Sequence, residues 1–424
     1  MAGEALTHAG MVVVGGGECG TRAAMTLREL GWTGAVTVVG DDPLHAYERP
    51  PLSKAAMVAE DDEGAAPVHP YTREEIAAAG VAVHTGTTVR ELDTGARRIT
   101  CDDGTRLGYE RLLLTVGSAP RSIPAVADAG ALTLRTHADA ERLRARLRPG
   151  THVGIVGAGF IGLELAAAAR HHGCAVTVLE AAPRALARAV PAAVADRVVA
   201  LHRDHGVDVR FGAGVTAARR DGAGAVLELD AGGEVAVDTL VLGIGVEPRV
   251  GLAREAGLAL DNGIRVDDRL RTSAPDVYAA GDCCSFPHPL FGGRRVRLES
   301  WRSALDQAVT AARNLLGEDV AHEAVPWFWS DQYDHVLQVV GLSQLVTRDV
   351  VRERPDGVSL HFGLDEDDRL VCGAGFGQGG SVAKDVRLAQ RLIERGISPE
   401  AGQLADPSVS LRDLVRSVSP GVGR

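Results

Sequence analysis

The run MVVVGGGECG, residues 11 to 20, is repeated in kind by HVGIVGAGFIGLE, residues 152 to 164. Each copy is a short apolar strand, a glycine turn of the form GxGxxG, and a helix-forming run. The glycines are Gly15, Gly17 and Gly20 in the first copy and Gly157, Gly159 and Gly162 in the second. An acid closes the next strand each time: Asp41, 21 residues past Gly20, ends AVTVVG, and Glu180, 18 past Gly162, ends AVTVLE. One isolated GxGxxG constrains little. Two, each with strand, helix and terminal acid, commit the chain to an α/β fold with two Rossmann-like dinucleotide-binding domains.

The chemistry of such a turn is local. Its first glycine makes the tight bend, its second lets backbone amides approach a pyrophosphate, and its third lets helix pack on strand, while the helix N-terminus faces the negative charge. The acid then accepts hydrogen bonds from a ribose diol. The plainer reading of each copy is a structural turn followed by a solvated acid. Two working sites in one chain suggest one bound FAD and one exchangeable nicotinamide, with a hydride passing between them. Glu180 suits a free 2′-hydroxyl and repels a 2′-phosphate, which favours NADH over NADPH; Arg184, four residues on, is the feature that would soften that preference.

Length and composition narrow the alternatives. A chain of 424 residues with 45% hydrophobic residues has room for two or three domains. No stretch reaches the roughly 18 consecutive apolar residues of a membrane span, and MAGEALTHAG lacks the charged start and apolar run of a signal peptide, so a cytoplasmic protein is expected. A net charge of −11 disfavours nucleic acid and anionic membrane as partners. The six cysteines show neither CxxC nor CxxxxC spacing, which argues against a redox dithiol, a zinc knuckle or a Cys-ligated cluster; Cys283 and Cys284 read as buried thiols. His202 and His205, three apart on a helical run, could hold a metal only with a third ligand, so they read as a solvated helix face and no metal is expected.

Two further segments demand an account. GDDPLHAYERPPLSK, residues 40 to 54, ends on a lysine in a chain that has only two, Lys54 and Lys384, among its 45 basic residues. TSAPDVYAAGD, residues 272 to 282, ends a buried strand at Gly281 and Asp282, where a carboxylate can meet a ribityl hydroxyl or merely close a turn.

In order, GGGECG, YERPPLSK, GAGFIGLE, TSAPDVYAAGD, RRVRLESW and PWFWSDQY resemble the FAD-dependent NADH:ferredoxin reductases that feed oxygenase or cytochrome P450 systems. The resemblance runs from about residue 11 to residue 414. It implies an FAD domain of residues 1–115 and 248–323, an NAD(H) domain of 116–247 and a C-terminal α+β interface domain of 324–424. On the FAD side it implies Gly15, Gly17, Gly20 and Asp41 for the adenosine diphosphate, with the backbone near Val89 against the adenine. Arg49, Lys54, Arg121 and Asp282 would lie around the rest of the flavin. Glu299, Trp301 and Trp329 would line it, with Trp327 as packing. On the nicotinamide side it implies Gly157, Gly159, Phe160, Ile161, Gly162, Glu164, Glu180 and Gly245.

The resemblance also pairs Lys54 with Glu164 beside the flavin ring. A cation there would stabilise the anion formed by hydride uptake, so Lys54 reads as an electrostatic tuner; its plainer reading is a surface residue ending a proline loop. Trp329 would shield the ring and guide electrons to a [2Fe–2S] ferredoxin docked by an acidic face. Arg294, Arg295, Arg297 and Arg302 are the expected basic patch, with solvated arginines or phosphate partners as the alternative. A monomer or homodimer is expected. Two departures stand out: Glu18 puts a carboxylate inside the pyrophosphate loop and must point away or pair, with Arg22 four residues on as the candidate, and HAY replaces Leu-Pro-Tyr before RPPLSK. A flavin NADH oxidase, a slow signalling flavoprotein and a reductase of a small organic substrate are the rival functions.

Overall fold

The computed structural model describes residues 7, 8 and 10 to 417. Their packing gathers the chain into two units. The first takes the residues through Glu48, then Val68–Ala119 and Glu247–Ala324; the second takes Arg49–Pro67, Pro120–Val246 and the residues from Val325 on.

The first unit is built on five parallel strands in the spatial order Val277–Ala279, Arg111–Leu114, Met11–Val14, Val36–Val39 and Val81–His84. Val12, Val13, Val38 and Leu113 are fully buried, as expected where a parallel sheet is covered on both faces. After Val14 the chain turns into the helix Glu18–Glu29. Gly15 has φ +120°, and a Cβ on Gly20 would stand 2.0 Å from the Gly15 carbonyl, so helix and strand approach as closely as backbones allow. The helix Trp301–Leu315, capped by Ser300, packs against the first glycine helix.

The second unit repeats the device. Its four parallel strands run in the order Val207–Phe211, Ala175–Glu180, His152–Val156 and Thr239–Leu242, and the glycine turn at 157 to 162 leads into the helix Phe160–His171. A three-stranded antiparallel layer, Val215–Asp221, Gly224–Leu229 and Glu234–Val237, closes a core of Val156, Leu179, Leu227, Val237 and Leu240.

The same unit holds residues 325 to 417, whose five antiparallel strands are ordered Trp327–Gln332, His335–Gly341, Leu370–Gln378, Ser359–Leu364 and Arg348–Glu353. Residues paired across such a ladder point to one side. Trp329 pairs with Gln338, which pairs with Gly375, and Trp327 pairs with Val340, which pairs with Gly373. Gly375 and Gly373 lie under Val382 and Ala389, at and in the helix Ala383–Glu394. Both tryptophans therefore stand on the helix-covered face of the sheet, on its edge strand, while Phe328, Ser330 and Gln332 face the other way.

Candidate active site

Two prolines shape the lysine loop. Pro50 and Pro51 fix φ and open a 3₁₀ turn, Pro50–Ser53, that ends at Lys54. From there Lys54 Nζ donates to Glu164 Oε2 at 2.8 Å, with the lysine side chain 18% and the glutamate 3% exposed. Glu164 sits one turn into the second glycine helix, so the turn that would hold a dinucleotide also positions the carboxylate.

Glu164 is saturated by donors that spacing alone did not single out. Ser53 donates to the same Oε2, and Ser330 donates to Oε1 at 2.5 Å. Behind Ser330 the chain of bonds continues: Gln332 Nε2 donates to Ser330 Oγ at 2.8 Å, and Gln332 Oε1 lies 2.8 Å from His202 Nε2. The Tyr333 hydroxyl lies 3.4 Å from His202 Nδ1. A neutral His202 carrying its proton on Nε2 makes every step of this chain donate toward the carboxylate. Burial pushes the His202 imidazole down to about 4, which keeps it neutral.

This corrects the solvated-face reading of His202. The side chain is fully buried, and His205, which does face solvent, stacks on Tyr333 with ring centroids 3.7 Å apart. Among the described residues no group of three His, Cys, Asp or Glu is placed to hold a metal ion.

Trp329 lies at the edge of the same cluster. Lys54 Nζ is 5.9 Å from its ring centroid, within cation–π range, and Trp327 stacks on it at 5.2 Å with planes 21° apart. On the opposite face Phe328 meets Phe160 edge to face at 5.1 Å.

At the strand end Glu180 turns back onto its own turn: Oε2 accepts from the Ala158 amide and Oε1 from the Ala182 amide, both at 2.8 Å. The Arg184 guanidinium is directed at backbone, donating to the carbonyls of Ala187 at 2.7 Å and Val190 at 3.2 Å. It braces the loop after the strand, so the softening of the NADH preference expected of it has no free cation behind it. Ile161 is exposed beside the turn, and Gly245 has φ +93° with Arg188 near it. Arg49 donates to the Arg135 carbonyl at 3.0 Å and Arg121 Nε to that of Val246 at 3.1 Å; both belong to this second unit.

The other expected residues lie in the first unit. Asp41 pairs with Arg249 at 2.7 Å, a partner 208 residues away. Asp282 accepts from Ser118 at 2.9 Å, Val89 begins a strand, and Glu299 pairs with Arg297 at 2.6 Å. Trp301 Nε1 donates to Glu18 Oε1 at 2.8 Å, while Arg22 reaches Glu29 at 2.8 Å and the Tyr71 hydroxyl at 2.7 Å. Sequence spacing had suggested only Arg22 as the partner of Glu18.

Two of the four arginines of the expected basic patch are turned inward. Arg295 donates to the carbonyls of Ser285 and Val266, Arg297 is nearly buried against Glu299 and the Asp282 carbonyl, and Arg302 pairs with Asp306. Of the four, Arg294 alone is offered to solvent without a partner. Further exposed cations lie elsewhere: Lys384, Arg387 and Arg391 form one stripe on the helix Ala383–Glu394, with Glu394 one turn beyond Arg391.

Both glycine turns fit a pyrophosphate. A Cβ on Gly17 would meet nothing within 4 Å and one on Gly159 only the Gly243 carbonyl at 3.8 Å, so each second glycine opens on space a ligand can enter. Each is also the N-cap of a 12-residue helix with no side chain bonded into the cap, which leaves the first amides for an anion. All six cysteines are free thiols. Burial pushes Cys283 up to about 12, and Cys19 and Cys284 well above the ordinary thiol range, so none of the three is a ready nucleophile.

Residues 10–308 match the pyridine nucleotide-disulphide oxidoreductase family and residues 327–415 the reductase C-terminal domain. Over 95% of this chain and 98% of the relative, the sequence is 42% identical to the ferredoxin–NAD(+) reductase component of the anthranilate 1,2-dioxygenase system of Burkholderia cepacia. It is 36% identical, over the same shares, to the ferredoxin–NAD(+) reductase component of the p-cumate 2,3-dioxygenase system of Pseudomonas putida. The reductase in the crystal structure of the covalent putidaredoxin reductase–putidaredoxin complex superposes with a TM-score of 0.89 at 33% identity, covering 97% of this chain and 99% of that one.

Proposed function

This chain belongs to the pyridine nucleotide-disulphide oxidoreductase family, and from that premise we propose that it carries electrons from NADH to a [2Fe–2S] ferredoxin serving an oxygenase or cytochrome P450. It is an oxidoreductase that uses FAD and NAD(H). In this reading the first glycine turn receives the FAD pyrophosphate, and the strands and helices around the second glycine turn hold NADH. The observation that carries it is the Lys54–Glu164 pair, its carboxylate buried, held by two further donors and with the Trp329 ring within cation–π range of the ammonium.

FAD, when bound, would supply hydride acceptance from NADH and one-electron release. The chain's own part is electrostatic. Lys54 would offer a positive charge at the ring edge, and Glu164, with Ser53 and Ser330 holding its two oxygens, orients that ammonium. Glu180 would receive the adenosine ribose of NADH and reject a 2′-phosphate. Cys19, Cys283 and Cys284 have no nucleophilic part in it, since burial raises their thiols well above the ordinary range.

For the acceptor we read the docking face on the C-terminal sheet. The rung Trp329–Gln338–Gly375 spans two strand spacings, about 10 Å. The helix bearing Lys384, Arg387 and Arg391 starts over its far end, so a basic stripe flanks the stacked tryptophans. A protein carrier with an acidic face fits that combination.

Anaerobic bleaching of the flavin by NADH, followed by NADH consumption with and without a [2Fe–2S] ferredoxin coupled to cytochrome c, tests the proposal. Fast bleaching with ferredoxin-dependent turnover is expected. Fast bleaching with rapid consumption in oxygen and no ferredoxin dependence would replace it with an oxidase.

A further inference from the structure

We infer that Trp301 is a positioning residue for the FAD phosphates: its indole N–H holds the Glu18 carboxylate on the outer side of the first glycine helix, away from the cradle. The inference rests on FAD occupying the first glycine turn and is independent of which acceptor takes the electrons.

Glu18 is the first residue of its helix, immediately after the open N-cap Gly17. A carboxylate there is compatible with the helix dipole but competes with an incoming pyrophosphate for the same amides and the same positive end. The side chain does not face the turn. It lines a shallow pocket with Arg22, Pro70, Tyr71, Trp301 and Leu305, a set that contains none of the turn's glycines. Trp301, the first residue of its own helix, supplies the 2.8 Å bond, and the close packing of the two helices fixes the geometry. On the neighbouring position Cys19 lies against Gly281, while Glu18 lines the pocket. Arg22 stands within the same pocket and is bonded to Glu29 and Tyr71. An indole is a donor only, and it can satisfy a carboxylate without adding a competing anion or acceptor.

The test is the rate of FAD release from diluted holoenzyme, followed by the recovery of free-flavin fluorescence. Trp301→Phe keeps the ring and removes the N–H; it should release FAD about tenfold faster at low salt, the excess shrinking as salt screens the freed carboxylate. Adding Glu18→Gln should return the rate to within about twofold of Glu18→Gln alone, because the repelling charge is gone. A wild-type rate for Trp301→Phe overturns the inference, as does a double variant as fast as Trp301→Phe, which would make the indole mere packing. If Trp301→Phe does not fold, Glu18→Gln alone decides: FAD held at least as tightly as by wild type supports the inference, and FAD held about tenfold more weakly overturns it. Gly17→Val separately checks the cradle, since retention of FAD by that variant would mean the flavin lies elsewhere.

Discussion

Ser330 reaches across 166 residues of sequence to donate its hydroxyl to Glu164 at 2.5 Å, from a strand whose opposite face carries Trp329. The carboxylate that holds Lys54 is thus tied to the same strand that presents the tryptophans. One strand shift would move both.

Lys54→Met should lower the two-electron potential of the bound flavin by tens of millivolts, since about 30 mV corresponds to one tenfold change in equilibrium for two electrons. Bleaching by NADH should slow by about 10²-fold. Spectroelectrochemical titration and anaerobic stopped-flow measure the two effects, and an unchanged potential would return Lys54 to a structural role.

Acid should destabilise the protein early. Burial pushes His202 and His288 down to about 4 and His322 to about 3, all below the ordinary 6.5 of an unfolded histidine. Below pH 6.5 the unfolded chain binds protons that the folded chain refuses, so stability is full above that pH and falls as pH drops toward 4. The loss should reach a few kcal/mol over the window. Urea unfolding at pH 7, 6 and 5 checks it; His202→Leu should start lower at pH 7 and lose less on the way to pH 5.

The glycine turns and their strands were legible because every signal is local: strand, turn and helix lie within about twenty residues, and each glycine has a backbone reason. The Lys54–Glu164 pair, 110 residues apart, was legible only through resemblance. The donors behind it were not. Ser53, Ser330 and Gln332 stand inside quoted motifs, yet small polar residues carry no periodicity, and His202 looks on sequence like any helix-surface histidine. Half of the arginine patch was hidden for the opposite reason. In RRVR the charges were visible, but the carbonyls of Ser285 and Val266 that absorb Arg295 were not.

Glu180→Ser should raise kcat/KM for NADPH by about tenfold and lower that for NADH, narrowing rather than inverting the preference. Arg184 cannot complete the inversion while it braces Ala187 and Val190. Steady-state kinetics with both coenzymes measure it. Arg184→Ala should cost thermal stability and leave coenzyme choice within about twofold.

Charge reversal separates the two basic surfaces. Lys384→Glu with Arg387→Glu should raise the ferredoxin KM about tenfold or more at low salt while ferricyanide reduction by NADH holds steady. Arg302→Glu should leave the ferredoxin KM within about twofold. The reverse pattern would return the docking face to the first unit.

Lys54 leaves the ribosome about 110 residues before Glu164 and well over two hundred before Ser330. At roughly 5–20 residues per second the nascent lysine waits on the order of ten seconds for its counter-charge, and about as long again for the hydroxyl that completes the carboxylate's shell. A translation intermediate stalled between the two would hold the ion pair without its third donor. A chain truncated before Trp327 would keep Lys54, Ser53 and Glu164 but lack the Ser330 hydroxyl, leaving the second oxygen of the carboxylate without that donor.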